Sequence, residues 1–325
     1  MLDERTVVAY LKERKIFSPQ SNPSVEILAG GVSNVVLAIT GEGKDLVLKQ
    51  ALPELKVKAK WVADQRRALV EARAIQVLHD LTPENVPKLY DVDPARFILL
   101  IERAPRTTTN WKDDLLAGVI HPEIGAELGS ILGQLHKTSS HDAVILDEFR
   151  EDSLFEQLRI NPFYRTLAAE HENIAVRIGT LIEELEGSKT CLVHGDYSPK
   201  NILVTKNLQA IVLDFEVAHT GNPVFDLAFL LGHLLCKQEY FTDLEKKKAV
   251  AKTAIEFLMH YEARLEASAA PTLTWHVATI ALARVDGISP VNYLDNTAQM
   301  NLRNRTVAIL DSKEPPSLTE VFLNL

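Results

Sequence analysis

The chain has almost no cysteine, no surplus of positive charge and no apolar run long enough to cross a membrane. Only Cys191 and Cys236 occur in 325 residues, each beside apolar neighbours and neither in a C-x-x-C spacing. A disulfide framework and a zinc site are thereby excluded, and a reducing compartment, the cytoplasm, is expected. Lysine and arginine together number 35 against 44 aspartates and glutamates, a formal net charge of −9. The bulk field therefore repels nucleic acid and anionic membrane surfaces, so neither is expected as a partner, and small molecules, including cationic ones, fit better. The longest apolar stretch, Val224 to Cys236, contains Asp226 and His233 and falls short of the roughly 20 residues of a membrane span, so it reads as a buried helix. The opening residues Met1 to Arg5 carry acidic side chains and no apolar core of leader length, and export is not expected. Internal repeats and low-complexity tracts are also missing. With 46% hydrophobic and 24% charged residues, what remains is an ordinary globular composition with a length of about two domains.

Hydrophobic periodicity divides the chain into two unlike parts. Thr6 to Lys15 has helical spacing and ends before Ser18-Pro19, and from Val25 the pattern becomes β-type: Val25 to Leu28, Val35 to Ile39 and Leu46 to Lys49, separated by turns at Gly30-Gly31 and Gly41-Glu42-Gly43. An antiparallel meander follows from that order. A helix is expected over Ala63 to His79 and a further strand over Phe97 to Ile101. Beyond Arg103-Ala104-Pro105 the composition turns helical, with expected helices over 123–136, 153–158, 174–185, 227–235, 247–265 and 273–285. Two short β runs, Ile202 to Val204 and Ala210 to Leu213, form a hairpin about Lys206-Asn207. The fold class is α+β, with a small antiparallel-sheet lobe over 1–103 and a larger, mainly helical lobe over 104–325.

The chemistry concentrates in His194-Gly195-Asp196-Tyr197-Ser198-Pro199-Lys200-Asn201, followed by Leu213-Asp214-Phe215-Glu216. Phosphoryl transfer needs a carboxylate to orient an acceptor hydroxyl and take its proton, and oxygen ligands to hold Mg²⁺ on nucleotide phosphates. Asp196, Asn201 and Asp214 are residues of those types. Asp-x-x-x-x-Asn is a tight loop that projects both side chains to one side, and an apolar β pair then carries Asp214 to the same mouth. In the first lobe Ala29-Gly30-Gly31-Val32-Ser33-Asn34 lies between two strands, a composition that lets backbone N–H groups approach phosphates and equally suits a plain hairpin loop. Asp226, at the start of an apolar helix, would be costly without partners, which implies a structural role.

His194-Gly-Asp-x-x-x-x-Asn201, with Asp214-Phe-Glu216 behind it and Gly221-Asn-Pro-Val-Phe-Asp226 after it, resembles the aminoglycoside phosphotransferase and choline kinase family, whose fold is that of the protein kinases. The resemblance covers nearly the whole chain. It implies a bilobal kinase-like fold, with Asp196 as catalytic base and Asn201 and Asp214 as Mg²⁺ ligands. Asp226 would brace the catalytic loop. By order along the chain, Lys49 takes the place of the strand lysine that neutralises the α/β-phosphates, with Glu71 as its helix partner and Glu54 and Asp64 as alternatives. Gly30, Gly31, Ser33 and Asn34 would cradle the phosphates of ATP. Glu102 and Ala104 belong to a hinge, Ile101 to Ala104, whose backbone would bind the purine. No arginine precedes Asp196, and only Phe215 to Thr220 separates Asp214 from Gly221-Asn222-Pro223. A peptide-docking activation segment has no room there, so the expected activity is phosphorylation of a small-molecule hydroxyl, in an aminoglycoside, an amino alcohol or a sugar.

Lys49-Gln50-Ala51-Leu52-Pro53, with Val57, Trp61, Arg67 and Glu71, is similar to the corresponding stretch of methylthioribose kinases, and so is Glu216, as a second carboxylate near the metal. The catalytic loop and the single Arg284 depart from that group. A non-catalytic nucleotide-binding protein on the same fold is the alternative from another class. Tyr197, Trp111, Trp275 and Arg284 are candidates for the acceptor pocket, and Lys200 for contact with the γ-phosphate. The carboxylates of 141–189 would suit a cationic acceptor if they faced the site, and a solvated face otherwise.

Overall fold

Leu37, Ile39, Leu46, Leu48, Ile98 and Leu100 recur at every second position of three strands and, with Val7, Tyr10, Leu11 and Phe17, form one apolar cluster. That period of two sends the intervening residues, Lys49 among them, to the opposite face. The computed structural model describes residues 1–28, 34–54 and 64–324. The chain divides into two compact units, Met1–Arg106 and Thr107–Leu325.

In the first unit α1 (Val7–Glu13) supplies Val7, Tyr10 and Leu11 to the cluster. The sheet is formed by β1 (Ser24–Ile27), β2 (Asn34–Gly41), β3 (Lys44–Ala51), β4 (Leu89–Asp93) and β5 (Ile98–Glu102), in the order β1-β2-β3-β5-β4. Every neighbouring pair is antiparallel, and Lys49 lies opposite Val36 and Leu99. Phe97, expected to begin the last strand, instead has φ 52 and makes the turn before it. Helix α2 (Arg67–Leu81) packs with the face that carries Lys49. Its first residue is fully buried: Arg67 donates to the carbonyls of Asp64 at 3.0 Å and Leu52 at 2.8 Å, tying the start of α2 to the end of β3.

The second unit is mainly helical. After β6 (Thr109–Asn110) come α3 (Trp111–Ala117), α4 (Pro122–Ser139) and α5 (Ala143–Glu148). Asn110 caps α3 by accepting from the Lys112 N–H at 3.1 Å, and Gly118, at φ 80, ends it. A continuous helical run follows, α6 (Ser153–Phe155), a π-helical stretch (Glu156–Arg165) and α7 (Thr166–Glu170), and then α8 (Ala175–Gly187). The spacing of 153–158 indicates only the first part of this run, because Pro162 removes an N–H and the wider π turn absorbs it. Short strands β7 (Cys191–Val193), β8 (Ile202–Val204), β9 (Ala210–Val212) and β10 (His219–Gly221) frame the motif residues 194–216. The expected hairpin is β8–β9, with Ile202 opposite Val212. Helices α9 (Val224–Tyr240), α10 (Leu244–Leu265), α11 (Leu273–Asp286), α12 (Asn296–Asp311) and α13 (Leu318–Leu323) complete the chain.

Residues 224–238 of α9 are all buried, as a helix apolar on every side requires. No helix among the described residues is long and apolar enough to cross a membrane. Gly125, Gly129 and Gly133 form a stripe on α4, where a Cβ would stand 2.3 Å from the Thr253 carbonyl oxygen, 2.1 Å from that of Phe257 and 3.0 Å from that of Tyr261. Only glycine lets α4 and α10 approach this closely. Helix α12 escapes sequence reading because it buries only Leu302, Thr306 and Leu310.

Candidate active site

In the first unit Lys49 Nζ lies 2.5 Å from Glu71 Oε1, and Glu71 is 1% exposed. The ambiguity among three acids is thereby resolved, since Asp64 pairs with Arg66 instead. Asn34 is buried at the start of β2. Gly30, Gly31 and Ser33 lie outside the described residues, as do Val57 and Trp61. At the expected hinge the Glu102 N–H donates to the Lys88 carbonyl at 2.8 Å and the Arg103 N–H to that of Asp45 at 3.0 Å. Those two donors are engaged within the unit.

In the second unit the loop after β7 is held from below by Asp226 in the first turn of α9. Its Oδ2 accepts from the His194 N–H at 2.7 Å and its Oδ1 from the Gly195 N–H at 2.9 Å. His136 Nε2, from α4, stands 3.2 Å from Oδ2, and His136 Nδ1 meets the Tyr261 hydroxyl of α10 at 3.0 Å. Burial by itself would raise the Asp226 carboxyl, but the hydrogen bond with His136 and the backbone N–H of His194 hold it below its ordinary value. Gly195 has φ +76, and a Cβ there would come within 2.6 Å of the Val217 carbonyl oxygen.

His194 links the loop to the strand that delivers Asp214. The Asp196 N–H donates to His194 Nδ1 at 3.1 Å, and Nε2 faces the Leu213 carbonyl at 3.1 Å. A backbone N–H can only donate and a carbonyl only accept, so the ring is the neutral tautomer with its proton on Nε2. Burial lowers its basicity in agreement. Asn201 Nδ2 donates to the Asp196 carbonyl at 3.0 Å, and the Leu213 N–H to the Asn201 carbonyl at 2.9 Å. Asp214 follows at φ 71, a left-handed conformation that costs a non-glycine residue on the order of 1–3 kcal/mol and persists where neighbours impose it.

The Asp196 side chain is 2% exposed and carries two cations on one oxygen: Arg159 Nη2 lies 3.1 Å and Lys200 Nζ 2.9 Å from Oδ2. Oδ1 receives no hydrogen bond among the described residues. Arg159 also donates through Nε to the Gly195 carbonyl, so it grips the 194–201 loop at two points. Sequence reading passes over Arg159. Its signal is a cation set between Leu158 and Ile160, which has to find a partner when buried.

Three of the four acceptor candidates belong to the core instead. Trp111 is fully buried, and Tyr197, 1% exposed, donates its hydroxyl to the Leu128 carbonyl at 3.0 Å. Trp275 donates to the Ile309 carbonyl at 3.0 Å and stacks under Arg177 at 3.6 Å. The carboxylates of 141–189 are largely engaged locally: Asp142 caps α5, Asp152 pairs with Lys189, and Glu156 and Glu186 pair with Arg165. Among the described residues no three His, Cys, Asp or Glu side chains cluster closely enough to hold a metal by themselves. The donor set Asn201, Asp214 and Glu216 is all oxygen, the choice of a hard ion that completes its shell with water and phosphate oxygens. It fits Mg²⁺ carried by a nucleotide.

The model of the phosphotransferase enzyme family matches residues 24–261. Methylthioribose kinase of Bacillus cereus (strain AH820) is 28% identical over 269 residues, which cover 72% of this chain and 66% of that protein. The chain thus spans just under two thirds of that relative's length. Among solved structures, an amicoumacin kinase in complex with AMP-PNP, Ca2+ and Ami aligns with a TM-score of 0.61 at 16% identity, over 97% of this chain and 95% of the other. A choline/ethanolamine kinase family protein from Mesorhizobium loti aligns at 0.58 and 16% identity, over 98% and 97%. The fold is therefore kinase-like, as the sequence motif implies.

Proposed function

We propose, from the premise that this chain belongs to the phosphotransferase enzyme family, that it transfers the γ-phosphate of ATP, with Mg²⁺, to a hydroxyl of a small molecule. The observation that carries this reading is the state of Asp196: Oδ2 is fixed by Arg159 and Lys200, while Oδ1 is left to orient an acceptor hydroxyl and take its proton. Lys49, held by Glu71, would neutralise the α/β-phosphates. Gly30, Gly31, Ser33 and Asn34 would offer backbone N–H groups to them, and the stretch from Glu102 to Ala104 would meet the purine. Asn201 and Asp214, with Glu216, would hold Mg²⁺, which supplies neutralisation of the phosphate oxygens. Lys200 is half-exposed and can leave Asp196 for the phosphoryl group. Most of the catalysis is then positioning and fixed charge.

The test is ADP release from MgATP in pools of aminoglycosides, amino alcohols, methylthioribose and other sugars and sugar acids, with Asp196→Ala as the blank. Acceptor-dependent release that disappears in the variant is expected. Binding of MgATP with no release from any pool would favour a non-catalytic nucleotide-binding protein.

A further inference from the structure

Helix α9 carries Phe229, His233 and Lys237 at four-residue steps, and the first of these is one ring away from the catalytic base. Arg159, paired with Asp196, lies 5.4 Å from the Phe229 ring, which in turn is 5.1 Å from His233 and 5.2 Å from Phe163. The Arg284 guanidinium is 5.8 Å from Phe163, and Lys237 Nζ is 5.3 Å from the Tyr293 ring. Burial pushes the His233 imidazole well below its ordinary value, and the charges of Arg284, Lys237, Lys200 and Arg159 push the same way. The charges of four cations thus bear on one neutral ring.

Negative charge does not balance them. Arg159 and Lys200 share the single carboxylate of Asp196. Lys237 is 1% exposed and has neither an ion pair nor a hydrogen-bond acceptor among the described residues. Arg284 Nε and the Tyr293 hydroxyl are likewise buried atoms with no hydrogen-bond partner. The nearby acids are engaged elsewhere, Asp113 with Lys112 at 3.3 Å and Glu239 with Arg305 at 2.5 Å. Burial lowers Lys237 only to about 8, so the ammonium persists at neutral pH. A buried ammonium, a guanidinium and a hydroxyl left without acceptors beside a catalytic carboxylate form a receptor for a group that brings its own negative oxygens.

We propose that the acceptor carries an anionic oxygen group, a carboxylate or a phosphate monoester, received by Lys237, Arg284 and the Tyr293 hydroxyl. Phe163, Phe229 and Tyr293 are the aromatic rings that these cations and Arg159 lie against. This assignment rests on the phosphotransferase reading of Asp196, whereas anion binding itself does not require turnover.

The experiment therefore has two readouts. D-Ribonate, D-ribose 5-phosphate and D-ribose are titrated calorimetrically into the full chain without nucleotide, and the same compounds join the ADP-release pools. The two anions are expected to bind in the millimolar range or tighter and ribose not to, with the stronger of the two telling carboxylate from phosphate. Lys237→Met, close to lysine in volume, should weaken the anions roughly tenfold or more, and Tyr293→Phe by a few fold, while the KM for MgATP stays put. The proposal is overturned if neither anion binds, if Lys237→Met and Tyr293→Phe leave their binding unchanged, or if the acceptor found by ADP release is neutral or cationic and its KM is unmoved by Lys237→Met. Anion binding that is lost in Lys237→Met, with no ADP release from any pool, would support the anion site and overturn the kinase reading instead.

Discussion

Three buried histidines of the second unit are held neutral, and that sets how the protein responds to acid. Burial lowers His219 from 6.5 to about 4, and lowers His194 and His233 in the same direction. The folded pKa lies below the unfolded one, so the unfolded chain takes up the proton first. The stabilisation is complete above pH 6.5 and declines as pH falls towards the folded value, by up to about 1.4 kcal/mol per pH unit for each ring. Urea midpoints should therefore fall between pH 6.5 and about 4.5, and less steeply in His219→Phe, which keeps the stack on Phe155 at 4.1 Å. Equal slopes in the two proteins would contradict this account. At the same scale Asp196, Asn201 and Asp214 are legible from spacing, because the loop that joins them is local. Arg159 and Lys237 are not, since each acquires its meaning from residues far away in the chain.

Among elements, the pairing of α4 with α10 matters beyond its own packing. Those helices carry His136, which meets Asp226, and Tyr261, which meets His136, so their separation fixes how the 194–201 loop is braced. Gly129→Ala would drive a methyl group to 2.1 Å from the Phe257 carbonyl oxygen. It should cost about 1–3 kcal/mol of stability, and lower kcat through the displaced loop. Gly179, inside α8, has nothing within 4 Å of the position a Cβ would take. Gly179→Ala should instead stabilise by about 0.5–1 kcal/mol, from helix propensity alone. Chemical denaturation of both variants checks the contrast, and equal effects would show that the stripe is not a close contact. Both glycines sit in sequence patterns that read simply as helix. What distinguishes them is the neighbour each one faces.

For the whole molecule the expected signature is nucleotide-linked stability. MgATP near a hundred times its Kd should add about 2.7 kcal/mol, or a rise in Tm of roughly 4 °C at the usual size scaling. EDTA should remove most of the shift and Lys49→Ala should reduce it, as followed by thermal denaturation. A shift indifferent to EDTA would argue against Asn201 and Asp214 as metal ligands. The surplus of acids, −9 overall, coexists with a local excess of cations around α9, a contrast that a count of charges hides. The sequence alone determined the succession of a β-rich and a helical region, the tight loop from His194 to Asn201, and the need of Asp226 for partners, because all of these rest on neighbours along the chain or on the cost of burying charge. Only the tertiary structure decided that Glu71 rather than Asp64 meets Lys49, that Arg159 seats Asp196, that Tyr197, Trp111 and Trp275 are core, and that Lys237 is left without a counter-charge. Each of those depends on which distant side chain arrives in the same place, and hydrophobic periodicity specifies the face a residue occupies without specifying what it meets there.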